Sequence, residues 1–457
     1  MLRRRPNPVS GRGMADRQSP TVTTAHGPVR GEHRPNGARF LGIPYAAPPV
    51  GDLRFAPPEP PKAWTEPLDA TAYGPTAQRR GFGEGATIPE PSVPGEGTLN
   101  LNVFTPAVDP AAALPVLVWI HGGGYVAGSA ASPWYDGVAF NRDGVVLVSL
   151  GYRLGIEGFL HLADAPDNRG VRDWIAALEW VRDNIAAFGG DPAKVTVAGQ
   201  SAGGGAVQTL LATPAARGLF RAALAMSAAT MVPGERWAGL AVSELFTRRT
   251  GVPATAAALR DLSDARLLEL QDALSAEGPD RAELPGLLLA PFADGELVPR
   301  AVLTELTGGD LGADVPLLLG FTRHEFTSFG GQELTDLVFR APNLAVADAR
   351  AARSRPTWLY EFGWPSPVPG DTEGLAFHCL DLPFAFDLLD AEGVTAAAGD
   401  DPPRHLAAAM HAAWVAFVRD LDPGGGWPRH ARGRRTVRIW DAEPGLASMA
   451  AAEGTVR

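Results

Sequence analysis

The chain has 457 residues, 45% of them hydrophobic, which is ample for a large core. Its formal net charge of −11 argues against nucleic acid and anionic membranes as partners. No apolar run of about 18 residues is present, so no transmembrane span is expected, and the single cysteine, Cys379, excludes an intrachain disulfide and suits a reducing cytoplasm.

Residues 1–19 are rich in Arg, Pro, Gly and Ser and are expected to be disordered. The basic start Met1-Leu2-Arg3-Arg4-Arg5 is not followed by an apolar stretch, so it does not read as a signal peptide. Short strands are expected at 21–24, 29–31 and 38–42, and a long Pro/Gly-rich surface loop over 56–97. Strands follow at 99–104, 115–120 and 145–150. An amphipathic helix covers 169–187, with Val171, Ile175, Leu178, Val181 and Ile185 on one face. Further strands are expected at 195–198, 222–226, 316–320, 357–362 and 436–440, with a long helix over 403–421. Strands alternating with helices predict a mostly parallel sheet. The expected organisation is one domain over 20–445, with cap insertions near 233–290 and 326–350, and a loose tail over 446–457.

Two motifs carry the chemistry. The strand-length run Pro115–Ile120 ends in His121-Gly122-Gly123-Gly124. Acyl transfer needs donors aimed at a developing oxyanion, and backbone N–H groups on a glycine loop supply them. A phosphate loop would continue Gly-Lys-Ser/Thr, and here Tyr125-Val126 follow instead. The second motif is Gly199-Gln200-Ser201-Ala202-Gly203, between the strand ending at Ala198 and a helix start. Gly-x-Ser-x-Gly in that setting is a nucleophile elbow, where flanking glycines relieve the clash of a sharp turn.

Together with Phe40-Leu41-Gly42-Ile43-Pro44-Tyr45-Ala46, Leu99-Asn100-Leu101-Asn102-Val103 and Phe188-Gly189-Gly190-Asp191-Pro192, these motifs resemble the type-B carboxylesterases, the family that includes the cholinesterases. The likeness runs from about residue 20 to 440. It implies an α/β-hydrolase fold with a central, mostly parallel, twisted sheet flanked by helices and a reduced helical cap. It implies a serine esterase without metal or organic cofactor, whose partner is a small-molecule ester.

Five histidines follow Ser201: His324, His378, His405, His411 and His430. The resemblance selects His378, because His378-Cys379-Leu380-Asp381-Leu382-Pro383 is similar to the family's catalytic-histidine segment. It selects Glu325 in Gly320-Phe321-Thr322-Arg323-His324-Glu325 as the acid, ahead of Asp294, whose Asp-Gly pair reads as a turn. It assigns the oxyanion hole to the N–H groups of Gly123, Gly124 and Ala202.

Three departures narrow the substrate. Gln200 stands where most members carry glutamate, and Glu96-Gly97-Thr98-Leu99 lacks the cysteine that closes a loop in cholinesterases. The Glu325-to-His378 segment is short, as though cap helices between them were deleted. Neutral short- to medium-chain and aryl esters are therefore expected as substrates. The rival readings are an amidase or carbamate hydrolase on the same triad, and a non-catalytic binding homologue, against which an intact triad argues.

Overall fold

The computed structural model describes residues 19–448 except 82–86, 229–231, 233, 282–283, 285, 432 and 434. Most of the expected N-terminal disorder, and the chain beyond 448, lie outside the described residues.

Among the described residues, fourteen strands form two sheets. A small sheet joins β1 (Thr21–Thr24), β2 (Gly27–Arg30) and β5 (Leu68–Asp69). The central sheet has eleven strands. In chain order they are β3 (Glu32–Arg34), β4 (Gly37–Pro44), β6 (Asn100–Thr105), β7 (Leu114–Ile120), β8 (Val146–Leu150), β9 (Gly190–Gln200) and β10 (Ala222–Met226). β11 (Leu317–Thr322), β12 (Thr357–Phe362), β13 (Thr436–Trp440) and β14 (Gly445–Ser448) complete it. Across the sheet the order is β14-β13-β12-β11-β10-β9-β7-β8-β6-β4-β3. Pairing is parallel from β8 through to β13 and antiparallel at both edges. The chain therefore makes the mostly parallel α/β sheet that the resemblance implies.

The central strands are buried on both faces, as a parallel sheet covered by helices requires. Along β7, Val116, Val118 and Ile120 enter one core cluster while Leu117 and Trp119 enter the other. The helix Arg169–Asn184 covers the first face with Val171, Trp174, Leu178 and Val181. The helix Arg404–Asp420 covers the second with Leu406, Met410, Trp414 and Phe417. Strand order turns at β7, which has β8 on one side and β9 on the other. In open α/β sheets ligands bind at such a switch point, outside the carboxyl ends of the strands. Register sets those ends level: Ile120 pairs with Gly199, and Met226 with both Gln200 and Gly320.

β5 lies inside the loop expected over 56–97, and β9 begins at Gly190, ahead of the strand expected at 195–198. Two further regions depart from the sequence reading. β14 forms where a loose tail is expected, pairing Thr436 with Ser448 and Ile439 with Gly445. Antiparallel pairing with β13 places it at the sheet edge, and its three exposed residues, Leu446–Ser448, carry no alternating pattern to announce it. The segment after Glu325 is short, yet it is not stripped of helices. Thr327–Thr335 and Ala341–Ala352 are helical, joined by a π-helical turn over Asp336–Arg340. The expected insertion over 233–290 contains the helices Arg236–Thr250 and Asp264–Ser275.

Candidate active site

Ser201 stands between β9 and the helix Ala202–Leu211 at φ 58, ψ −120. That conformation is strained for any side-chain-bearing residue, typically by about 1–3 kcal/mol. Its surroundings hold it there: Ser201 N–H donates to Met226 O, and Ser201 O accepts from Gly205 N–H, both at 2.9 Å. The flanking glycines are obligatory. A Cβ on Gly203 would lie 2.0 Å from Ile120 O, and one on Gly199 would lie 2.4 Å from the Gly203 backbone. The elbow thus presses against the end of β7, which brings the two motifs to one place.

Gly123 and Gly124 adopt φ 113 and 58, open to glycine and strained for other residues. Gly123 O accepts from Val126 N–H and Ala127 N–H, closing the loop on itself. His121 sets the first peptide. Its Nδ1 lies 2.7 Å from Gly122 O, a contact that requires the Nδ1–H tautomer. Burial pushes the His121 pKa down to about 4, so the ring stays neutral. In a trans peptide C=O and N–H point opposite ways, so anchoring Gly122 C=O aims Gly123 N–H away from the imidazole. Tyr152 stacks on that ring, centroids 4.6 Å apart, and its hydroxyl donates to His121 O. Among the described residues, no protein acceptor takes the N–H of Gly123, Gly124 or Ala202. Ala202 also opens a helix, whose dipole favours an anion there.

Glu325 and His378, the residues expected as acid and base, come from the loops after β11 and β12. Glu325 is fully buried; Oε1 accepts from Thr322 N–H at 2.8 Å, and Oε2 lies 2.5 Å from His378 Nδ1. Backbone bonds join the two loops: His378 N–H donates to Glu325 O, and His324 N–H to Ala376 O. Burial works against the His378 imidazolium, but the Cys379 sulfur and the Glu325 carboxylate favour it. The balance holds its pKa well above the ordinary histidine value. On its other side, His378 Nε2 faces Gln200 Nε2 at 3.2 Å, and no hydrogen bond joins it to Ser201 Oγ. Catalytic hydrogen bonds commonly tighten only once substrate is bound. The rings of Phe326 and Phe339 flank His378 with centroids 5.0 and 5.2 Å away.

The rival residues have other partners. Asp294 accepts from Asn168, Glu296 N–H and Val298 N–H, stapling a turn. His324 Nδ1 accepts from Ala376 N–H. His405 meets Ala442 O, His411 lies between Ala385 O and Asp143, and His430 pairs with Asp348. Sequence reading left three neighbours without a role: His121 as the anchor of the glycine loop, the Phe326–Phe339 pair, and Asp381. Asp381 is buried, accepts from Tyr360 O–H, and burial beside Glu325 pushes its pKa up to about 7. Among the described residues, no cluster of three His, Cys, Asp or Glu is placed to hold a metal ion. No helix among them is long and apolar enough to cross a membrane.

Comparison with known proteins decides the family. The carboxylesterase family profile matches residues 18–334. The chain belongs to the carboxylesterase family. This carboxylesterase is 35% identical to a para-nitrobenzyl esterase of Bacillus subtilis, over 92% of this chain and 95% of that one. It is 33% identical to a phenmedipham hydrolase of Pseudarthrobacter oxydans, over 84% and 86% of the two chains. Among solved structures, a thermophilic PNB esterase superposes with a TM-score of 0.85 at 33% identity, covering 95% of this chain and 99% of that one. A Geobacillus stearothermophilus carboxylesterase gives 0.82 at 32% identity, over 94% and 97%. The chain is a carboxylic-ester hydrolase of α/β-hydrolase fold. The profile ends before His378, whereas the para-nitrobenzyl esterase match spans nearly the full length.

Proposed function

We propose that Ser201, His378 and Glu325 form the catalytic triad, with Gly123, Gly124 and Ala202 as the oxyanion hole. The reading is supported above all by one observation. A buried carboxylate grips the imidazole that lies against the nucleophile elbow, while three backbone N–H groups there stay unclaimed.

In this scheme Ser201 Oγ attacks the ester carbonyl carbon and its proton passes to His378 Nε2. Glu325 keeps the Nδ1–H tautomer in place and stabilises the imidazolium without taking the proton. The carbonyl oxygen, now negative, is met by the three N–H groups. As the intermediate collapses, the C–O bond to the leaving group breaks and that oxygen takes the Nε2 proton. Water then attacks the acyl-serine, giving its proton to His378, and release of the acid restores Ser201.

The substrates proposed are neutral short- to medium-chain esters and aryl esters. Gln200 brings no negative charge to the site, so cationic esters gain nothing from it. Half-buried Phe326, backed by the buried Phe339, offers aromatic surface beside His378, where the leaving group departs. A cytoplasmic setting is proposed on the lone thiol Cys379. Rates on butyryl, octanoyl and palmitoyl p-nitrophenyl esters and on butyrylthiocholine test the specificity. Each acyl methylene inside the pocket gains about 1–3 kcal/mol at most, so butyryl and octanoyl esters should lead. Preference for the palmitoyl or the choline ester would contradict the reading. The relative named a phenmedipham hydrolase makes that compound a further arm of the panel.

A further inference from the structure

The Gln200 carboxamide is an unexpected neighbour for a general base. Gln200 ends β9, is fully buried, and its Nε2 lies 3.2 Å from His378 Nε2 and 3.1 Å from Cys379 Sγ. An amide nitrogen carries two hydrogens and acts only as a donor. Both hydrogens are used, one on the imidazole lone pair and one on sulfur. The reversed amide would set an oxygen against the same imidazole lone pair, a repulsive contact while the ring is neutral. With the ring neutral, the donating face is the one that fits these two contacts, and it leaves Gln200 Oε1 buried without a protein partner. The lone pair that Gln200 occupies is the one that must receive the Ser201 proton. Ser201 Oγ holds no hydrogen bond to the ring.

We infer that Gln200 is a positioning residue that favours the neutral form of His378 by donating to its Nε2 lone pair, against the opposite pull of Glu325, and that it yields that lone pair to Ser201 when substrate binds. A hydrogen bond to the neutral form of a base disfavours its protonation. Glu325 pulls the other way from the Nδ1 side, so the two neighbours set the pH at which His378 becomes an active base. The remaining groups facing the ring, among the described residues, have been placed above. Cys379 and Asp381 lie on its own loop, and Asp381 is close enough to feel its charge. Ser201 comes from the end of β9. Phe326 and Phe339, which do not titrate, come from the segment after Glu325.

The inference rests on His378 being the base, and the test separates the two. kcat/KM for p-nitrophenyl butyrate is measured against pH for the wild type, Gln200→Met, Gln200→Leu and Gln200→Glu, with thermal unfolding of each as a folding control. Methionine keeps the length and removes both hydrogens. The acid limb should move up by about one pH unit in Gln200→Met, read as about a tenfold loss below the limb. Gln200→Glu should move it further in the same direction, since a carboxylate attracts the imidazolium; Gln200→Leu, which removes both hydrogens without adding charge, should move it as Gln200→Met does and carries the test if the methionine variant does not fold. A residue that only packs would lower the plateau and leave the limb in place. That result, or a downward move in Gln200→Met, would overturn the role of the carboxamide. A wild-type profile with no acid limb would instead overturn His378 as base, and the carboxamide's role with it.

Discussion

The two halves of the site are built by different means. The elbow and the glycine loop are held by backbone: Ser201 by Met226 O and Gly205 N–H, Gly123 by its own loop, and Gly203 against Ile120 O. The acid–base half is held by side chains, with Glu325 on His378 Nδ1 and Gln200 on its Nε2. The first half is set by sterics and gives way to volume. The second is set by charge and hydrogen bonding and gives way to chemistry that leaves volume unchanged.

Gly203→Ala is the most damaging way to break the first half. Its new Cβ meets a backbone carbonyl of β7, not a flexible side-chain end, so the elbow itself must shift. Activity should fall to background, with a lowered unfolding temperature; a folded, active variant would show that the elbow is not sterically defined. Glu325→Gln tests the second half at constant volume. kcat should fall by about 10⁴-fold, as for loss of the acid in a serine triad. The sign of the pH effect follows from the charge. The carboxylate raises the His378 pKa, and only the neutral ring is a base, so removing it should move the acid limb of kcat/KM to lower pH. An upward move would mean that Glu325 does not stabilise the imidazolium. Cys379→Ser should have the smallest effect. Its sulfur accepts from Gln200 and lies beside the His378 ring, roles that the serine oxygen can fill, and activity should stay within about threefold of wild type, since a typical neutral hydrogen bond contributes about 1 kcal/mol. Loss of activity in a folded Cys379→Ser chain would give the thiol a chemical part in the reaction.

The same contrast explains what the sequence made legible. Steric demands are written as glycines, and Gly199, Gly203 and the run Gly122–Gly124 stand beside the residues they serve. The positions of β7 and β10 and the buried half of β9 are readable for a like reason, since parallel strands buried on both faces are continuous apolar runs; the start of β9 at Gly190 is not, because Asp191–Lys194 are polar or exposed. The acid–base half lies more than a hundred residues downstream, among five histidines that composition treats alike. His378 was singled out by its likeness to a family segment, and the structure brings it to Glu325 and leaves the others with unrelated partners. The contact of Gln200 with His378 joins residues 178 positions apart, and no local pattern encodes it. β14 was missed because an edge strand with exposed side chains carries no burial periodicity.

The central claim is that ester cleavage passes through an acyl group on Ser201. Rapid mixing with excess p-nitrophenyl butyrate, acid quench and peptide mass analysis test it directly. The account predicts a burst of about one p-nitrophenol per chain if deacylation is slower than acylation, and a butyryl group on the peptide containing Ser201, absent from Ser201→Ala. A butyryl group on Cys379, or turnover by Ser201→Ala at the wild-type rate, would contradict it.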